Sequence, residues 1–165
     1  MPEKKKQFPL WPLCIVLIAI LLLALLNPAC RYVYTRNFVK SSDLQTAEFF
    51  TNDMETQGLL TSDKPIFFFG SAGTHTNASC LDLSTGNYNI YSVFDVGNAL
   101  GMSTLESSQY IIAYLNNLGY DYTAPTSSDW DKYEKELKEC LPLENSFPWY
   151  NGILETEHCI IVQLS

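Results

Sequence analysis

The chain begins with an apolar run that has no periodicity and continues with segments that do. From Gln7 to Cys30 no side chain is charged, and Leu13 to Leu26 (LCIVLIAILLLALL) is apolar without a break. A hydrocarbon core about 30 Å thick takes roughly 20 helical residues. Phe8, Leu10 and Trp11 before the run and Asn27 to Cys30 after it supply that length. The pattern predicts a transmembrane helix over residues 10–30, with Leu13, Leu17, Leu21 and Leu25 spaced a turn apart within the bilayer. Trp11 stands where an interfacial aromatic belongs, and Tyr32 and Tyr34 form the opposite belt. Pro9 and Pro12 fall at the helix start, where a missing N–H costs little. A cleaved signal peptide shares the basic start and apolar stretch. Here the stretch is long, LNPAC lacks a small residue at the third position before a cut after Ala29, and Asn27 stands where a lipoprotein signal prefers leucine. A retained helix is the preferred reading.

Periodicity sets in beyond a polar passage at Asn37 to Ser42. A helix start at Ser41–Ser42–Asp43 precedes Leu44, Ala47, Phe50 and Met54 at spacings of three and four, and Gly58 is its stop. IFFFG, Ile66 to Gly70, is a short apolar run of the kind found in strands buried on both faces. Ser71 to Asn89 is rich in Gly, Ser, Thr and Asn and reads as a loop, and part of Tyr88 to Gly97 reads as a strand. A long loop in a small domain is functional or mobile.

Ser103 and Glu106 form a capping box ahead of the stripe Leu105, Ile111, Ile112, Leu115 and Leu118, which Gly119 ends. A short strand is expected near Tyr120–Tyr122. A second box, Ser128 with Asp131, precedes the stripe Trp130, Tyr133, Leu137 and Cys140, and Pro142 stops that helix. Ile153 to Glu155 and Cys159 to Leu164 read as a closing hairpin. The expected fold class is α/β: one N-terminal transmembrane helix, then a small α/β domain with a mixed sheet and a C-terminal hairpin. The expected division is 1–9 basic segment, 10–30 transmembrane helix, 31–58 juxtamembrane segment and helix, and 59–165 domain.

Charge changes the picture of partners. From Ser41 onward the 165-residue chain has four lysines (Lys64, Lys132, Lys135, Lys138), no arginine, and seventeen Asp and Glu. Phosphate contacts are made by Lys and Arg, so no nucleic-acid partner is expected. The expected partner of the apolar helix is the lipid bilayer. Lys4, Lys5 and Lys6 precede the span, while Arg31, Arg36 and Lys40 follow it, so the positive-inside rule has cations to count on both sides. The orientation favoured is N-terminus in the cytoplasm, domain outside, in a single-pass protein of the cell membrane. Cys14 and Cys30 belong to the span. Cys80, Cys140 and Cys159 leave one disulfide open without choosing its pair.

Candidate chemistry is sparse. Gly70-Ser71-Ala72-Gly73 is followed by Thr74 and His75, where a P-loop needs a lysine and a hydroxyl, and no helix opens as a dinucleotide fingerprint requires. The glycines read as a sharp turn at a sheet edge. Ser71 fits the nucleophile elbow G-x-S-x-G poorly, and only His75 and His158 exist to serve as its base. His75, Cys80 and Asp82 match no zinc spacing, so no metal and no cofactor is expected. Asp95, in SVFDVGN, is a turn-former bonding to backbone N–H groups or a group facing a ligand, with the turn favoured. NAS at Asn77 is a glycosylation sequon in a secretory setting. Ser71, His75 and Asp95 are the ligand-binding candidates, and no catalytic residue is assigned.

Several of these pieces in order, KPIFFFG, SVFDVGN ahead of a capped helix ending LGY, and FPWYNGILETEHCIIVQLS, follow an apolar helix. The arrangement resembles the last transmembrane helix and extracytoplasmic tail of bacterial multispan glucosyltransferase-type membrane proteins, the kind that modify O-antigen. The likeness runs from Leu10 to Ser165 and rests on short, mostly structural motifs. It implies sugar transfer from a polyprenyl-phosphate donor on the outer face of the membrane, and it implies an outside domain. Such enzymes keep their acidic catalytic residues between early membrane helices, and this chain has one helix. The resemblance therefore implies a non-catalytic module, a truncated or split-gene product or the companion of a multispan partner, folding against that partner or a glycan acceptor. The rival expectation is an autonomous membrane-anchored ligand-binding or sensor domain using the loop Ser71–Asn89.

Overall fold

The computed structural model describes residues 10–71, 78–82, 86–147 and 152–164. Its first element is a helix of 46 residues, α1 (Trp11–Thr56), which at 1.5 Å per residue is about 69 Å long. The expected break does not occur: the helix passes through Asn37 to Ser42 and has no start at Ser41. The passage Arg36 to Asp43 holds neither Pro nor Gly, and Val39 and Asp43 within it are buried against the domain, so packing carries the helix through. The helix also continues across Pro28, whose nitrogen has no hydrogen for the Ala24 carbonyl.

The end of α1 lies where the sequence places it. Gly58 takes φ 73°, its N–H donates to the Glu55 carbonyl, and the Leu59 N–H donates to the Met54 carbonyl at 2.8 Å. This is the Schellman arrangement, and buried Leu59 and Met54 belong to the same apolar cluster.

The remaining elements are β1 (Ile66–Phe69), β2 (Ala78–Asp82), β3 (Gly86–Ile90), α2 (Val96–Leu100), α3 (Thr104–Asn117), α4 (Ser127–Cys140), β4 (Ile153–Glu155) and β5 (Ile160–Gln163). The main sheet is mixed, in the order β1-β5-β4: β5 runs parallel to β1 and antiparallel to β4. The expected closing hairpin is present, its second strand slightly shorter than Cys159 to Leu164. β2 and β3 form a separate antiparallel hairpin that packs on α1. This corrects the reading of Ser71–Asn89 as loop throughout. The ladder's residues, Ala-Ser-Cys-Leu-Asp and Gly-Asn-Tyr-Asn-Ile, lack the β-branched alternation by which a strand announces itself.

The main sheet divides the core by alternation. Ile66 and Phe68 of β1, with Ile160 and Val162 of β5, face a cluster containing Ala47, Phe50 and Met54 of α1 and Ile111, Ile112 and Leu115 of α3. Phe67 and Ile161 face the other way, onto Leu137, Trp130 and Tyr133 of α4. Each fully buried large apolar side chain contributes about 1.5–3 kcal/mol. Of the expected stripe of α3, Ile111, Ile112 and Leu115 are buried in the first cluster, whereas Leu105 is half-buried against the second and Leu118, beyond the helix end, is exposed.

Two local expectations are corrected. The box that opens α4 is Thr126 with Asp129, not Ser128 with Asp131: the Asp129 N–H donates to Thr126 Oγ1, and the Thr126 N–H donates to Asp129 Oδ2 at 2.8 Å. Both pairs satisfy the same spacing, and the earlier one takes the helix start. No strand forms at Tyr120–Tyr122. There the Asn116 side chain bonds both backbone groups of Tyr122, each at 2.9 Å, and replaces a ladder partner. The Ser103–Glu106 box is formed as expected.

Candidate functional site

In open α/β sheets ligands bind outside the carboxyl ends of the parallel strands. In this protein that edge lies beyond β1 and β5, at Gly70. Gly70 has φ 85°, and a Cβ there would meet the Leu164 carbonyl oxygen at 2.6 Å. The glycine is required by this close backbone approach at a sheet edge, as the turn reading predicts. Two hollows flank it. One, of about 450 Å³, is shallow and lined by Phe69, Gly70, Leu141, Pro142, Gln163 and Leu164. The other, of about 180 Å³, is polar and lined by Phe68, Gly70, Asn98, Met102, Thr104 and Ser107. Ligand pockets commonly enclose about 300–1,000 Å³, so size favours the first.

The polar hollow lies beside the start of α3. There the Ser103–Glu106 box supplies an acidic side chain in the first turn, which works against an anion. The box holds the Glu106 carboxyl below its ordinary range through hydrogen bonds from the Ser103 N–H and hydroxyl. Buried Ser108 ties α3 to the sheet: its hydroxyl donates to the Thr104 carbonyl at 2.7 Å and accepts the Phe68 N–H at 2.8 Å. In the larger hollow, Gln163 Oε1 is occupied by the Leu143 N–H at 2.7 Å. The wall is therefore mostly apolar.

The candidates named from sequence do not converge. Ser71 is half-buried just past Gly70, at the carboxyl end of β1. His158 precedes β5, hence at the opposite end of this parallel pair, where its ring stacks on Tyr133 with centroids 5.2 Å apart. It cannot serve Ser71 as a base. His75 lies outside the described residues, as does the Asn77 sequon. Among the described residues no group of three or more His, Cys, Asp or Glu side chains could hold a metal ion.

Asp95 sits in a turn, but its carboxylate does not make the bonds expected of a turn-former. It occupies the position before α2, its N–H donates to the Ser92 carbonyl, and its side chain caps nothing. The carboxylate is buried, 4 % exposed, and Oδ2 has no partner among the described residues. The bonding role falls to Asp43, which the sequence reading placed at a helix start. Asp43 Oδ1 accepts the Ser92 hydroxyl and Oδ2 accepts the Val93 N–H at 3.2 Å, while Ser92 Oγ accepts the Phe94 N–H at 3.1 Å. Burial pushes the Asp43 carboxyl up from its ordinary 3.8, against the pull of the Ser92 and Val93 bonds. The signal was available: Val39, Asp43, Ala47, Phe50 and Met54 follow helical spacing, with one acid among apolar residues.

The apolar half of α1 is long and apolar enough to cross a membrane, with mean hydropathy 2.8 over its best window and none of that window buried by the rest of the chain. No family model, no curated protein and no solved structure matches this chain.

Proposed function

We propose that this protein is a single-pass membrane protein whose α/β domain is held rigidly on its anchoring helix and acts by binding rather than by bond-making chemistry. The observation that carries the reading is α1, which leaves the apolar segment and enters the domain core with no joint between them. The domain therefore has a fixed orientation to the bilayer, as a module working against a membrane partner requires. In this reading Lys4 to Lys6 lie in the cytoplasm and the domain lies outside. An alkaline phosphatase fusion after Ser165 is active in that orientation and inactive in the reverse.

The specific form of the proposal is the terminal module of a glucosyltransferase-like system of cell-surface glycan modification, with a multispan protein as partner. Its support is the quoted motifs alone. Co-purification of the tagged full chain with a multispan protein in mild detergent tests it, and recovery of the chain by itself counts against it. The hollow beside Leu141 and Gln163 favours a second reading, an autonomous ligand-binding or sensor domain. A small molecule that raises the melting temperature of the isolated full chain, with no partner present, selects that reading.

A further inference from the structure

Three thiols lie beyond the apolar segment, and the fold sorts them. Cys159 immediately precedes β5 and is wholly buried on the α4 face of the main sheet, in a cluster with Phe67, Leu137 and Ile161. Cys140 is the last residue of α4, half-buried, and packs against that same cluster. Cys80 belongs to β2, whose hairpin packs on α1, and α1 covers the opposite face of the main sheet. Cys140 and Cys159, by contrast, share one apolar cluster on the α4 face of the main sheet. We propose that Cys140 and Cys159 are a disulfide-forming pair, which oxidation joins to fasten the end of α4 to the start of the central strand.

The surroundings fit such a bond. Thr156 Oγ1 lies 3.3 Å from Cys159 Sγ and also accepts the Cys159 N–H at 3.1 Å, so the buried cysteine is held in place. A disulfide needs Cα atoms about 4.4–6.8 Å apart. Both thiols are free in this structure, and Cys140 ends its helix, where the last turn frays most readily, so the bond would form by an approach of that helix end. Burial first, with Cys140 among the lesser causes, pushes the Cys159 thiol up from its ordinary 9.0. The more accessible Cys140 therefore reacts first.

The oxidant is a protein or small-molecule disulfide. The Cys140 thiolate attacks one of its sulfurs and releases the other as a thiol. The Cys159 thiolate then attacks Cys140 Sγ, breaking the mixed disulfide and releasing the second thiol. Two cysteine thiols are thus oxidised by two electrons, and one disulfide is reduced to two thiols.

Occurrence of the bond in the cell rests on the proposed outside placement of the domain; the choice of pair does not. The test blocks free thiols during extraction of the full chain from membranes and maps linked peptides. A parallel sample is extracted reduced and treated with oxidised glutathione. The expected result is a Cys140–Cys159 link in both samples, kept in Cys80→Ser and abolished in Cys140→Ser and Cys159→Ser. A link only in the glutathione-treated sample upholds the pair and overturns the outside placement. A link containing Cys80, or two alkylated thiols after glutathione treatment, overturns the pair.

Discussion

Along α1, residues 10–26 present every large apolar side chain to the surroundings, whereas from Val39 to Met54 the same helix buries one stripe and leaves the rest half-buried or exposed. Both halves are one continuous α-helix, apart from the bond that Pro28 cannot give the Ala24 carbonyl. What differs is the solvent each half is composed for. In a bilayer an apolar surface all round is suitable, because the backbone is satisfied within the helix. In water only a stripe can be apolar, and it must be covered by other elements. One helix carries both compositions without a break, because the change lies in its side chains alone.

The largest effect separating the two halves is expected at Phe50, which is wholly buried and packs edge-on or tilted against Phe68, Tyr122 and Phe147. Phe50→Ala should destabilise the domain by about 3–5 kcal/mol, read as a lowered unfolding midpoint in detergent, with membrane retention unchanged. Leu21→Arg should do the reverse. It should cost about 2.5–3.5 kcal/mol of insertion, read as release by carbonate washing, while the domain's unfolding midpoint stays put. Retention of Leu21→Arg in the washed membranes would count against a spanning helix.

The next effect belongs to the contact of α1 with the turn before α2. Asp43→Ala leaves the Ser92 hydroxyl and Val93 N–H without their acceptor, and should cost about 1–3 kcal/mol. Its pH dependence has a definite sign. The folded-state pKa of Asp43 is raised above 3.8, so in the window between 3.8 and that higher value the folded state binds more protons than the unfolded one. Stability from this group is therefore fully present below 3.8 and falls as pH rises through the window. Asp43→Asn should flatten that slope in an unfolding titration. The smallest effect is expected away from α1, where Ser103→Ala should cost about 1 kcal/mol by removing the cap of α3.

Much of the fold could be read where chemistry is local. The Ser103 box, the Gly58 and Gly119 stops, the IFFF strand and the final hairpin each depend on a few adjacent residues, and each is found close to its expected place. What escaped depends on distant partners. The helix through Asn37 to Ser42 persists because the domain covers Val39 and Asp43, which carry the spacing of Ala47, Phe50 and Met54 back through the polar passage, and the cover itself comes from residues far along the chain. Tyr122 loses its expected strand to the side chain of Asn116, six residues earlier. The candidate site was less legible. Ser71 does lie at the carboxyl edge, but the hollow beside it is built from Leu141, Pro142, Gln163 and Leu164, residues far along the chain with no chemical signature. Asp43 was visible as an acid in an apolar stripe, yet its partner Ser92 is 49 positions away.

The unbroken helix is the claim on which the rest depends, and a distance across the change of environment tests it directly. Leu23 and Phe49 are both exposed, one in each half of α1. Spin labels at Leu23→Cys and Phe49→Cys, with the native cysteines replaced and the full chain in lipid nanodiscs, should report a narrow distribution near the helical rise of about 39 Å. A broad distribution centred well below that separation would mean that the two halves are jointed, and would contradict a domain rigidly fixed to its membrane anchor.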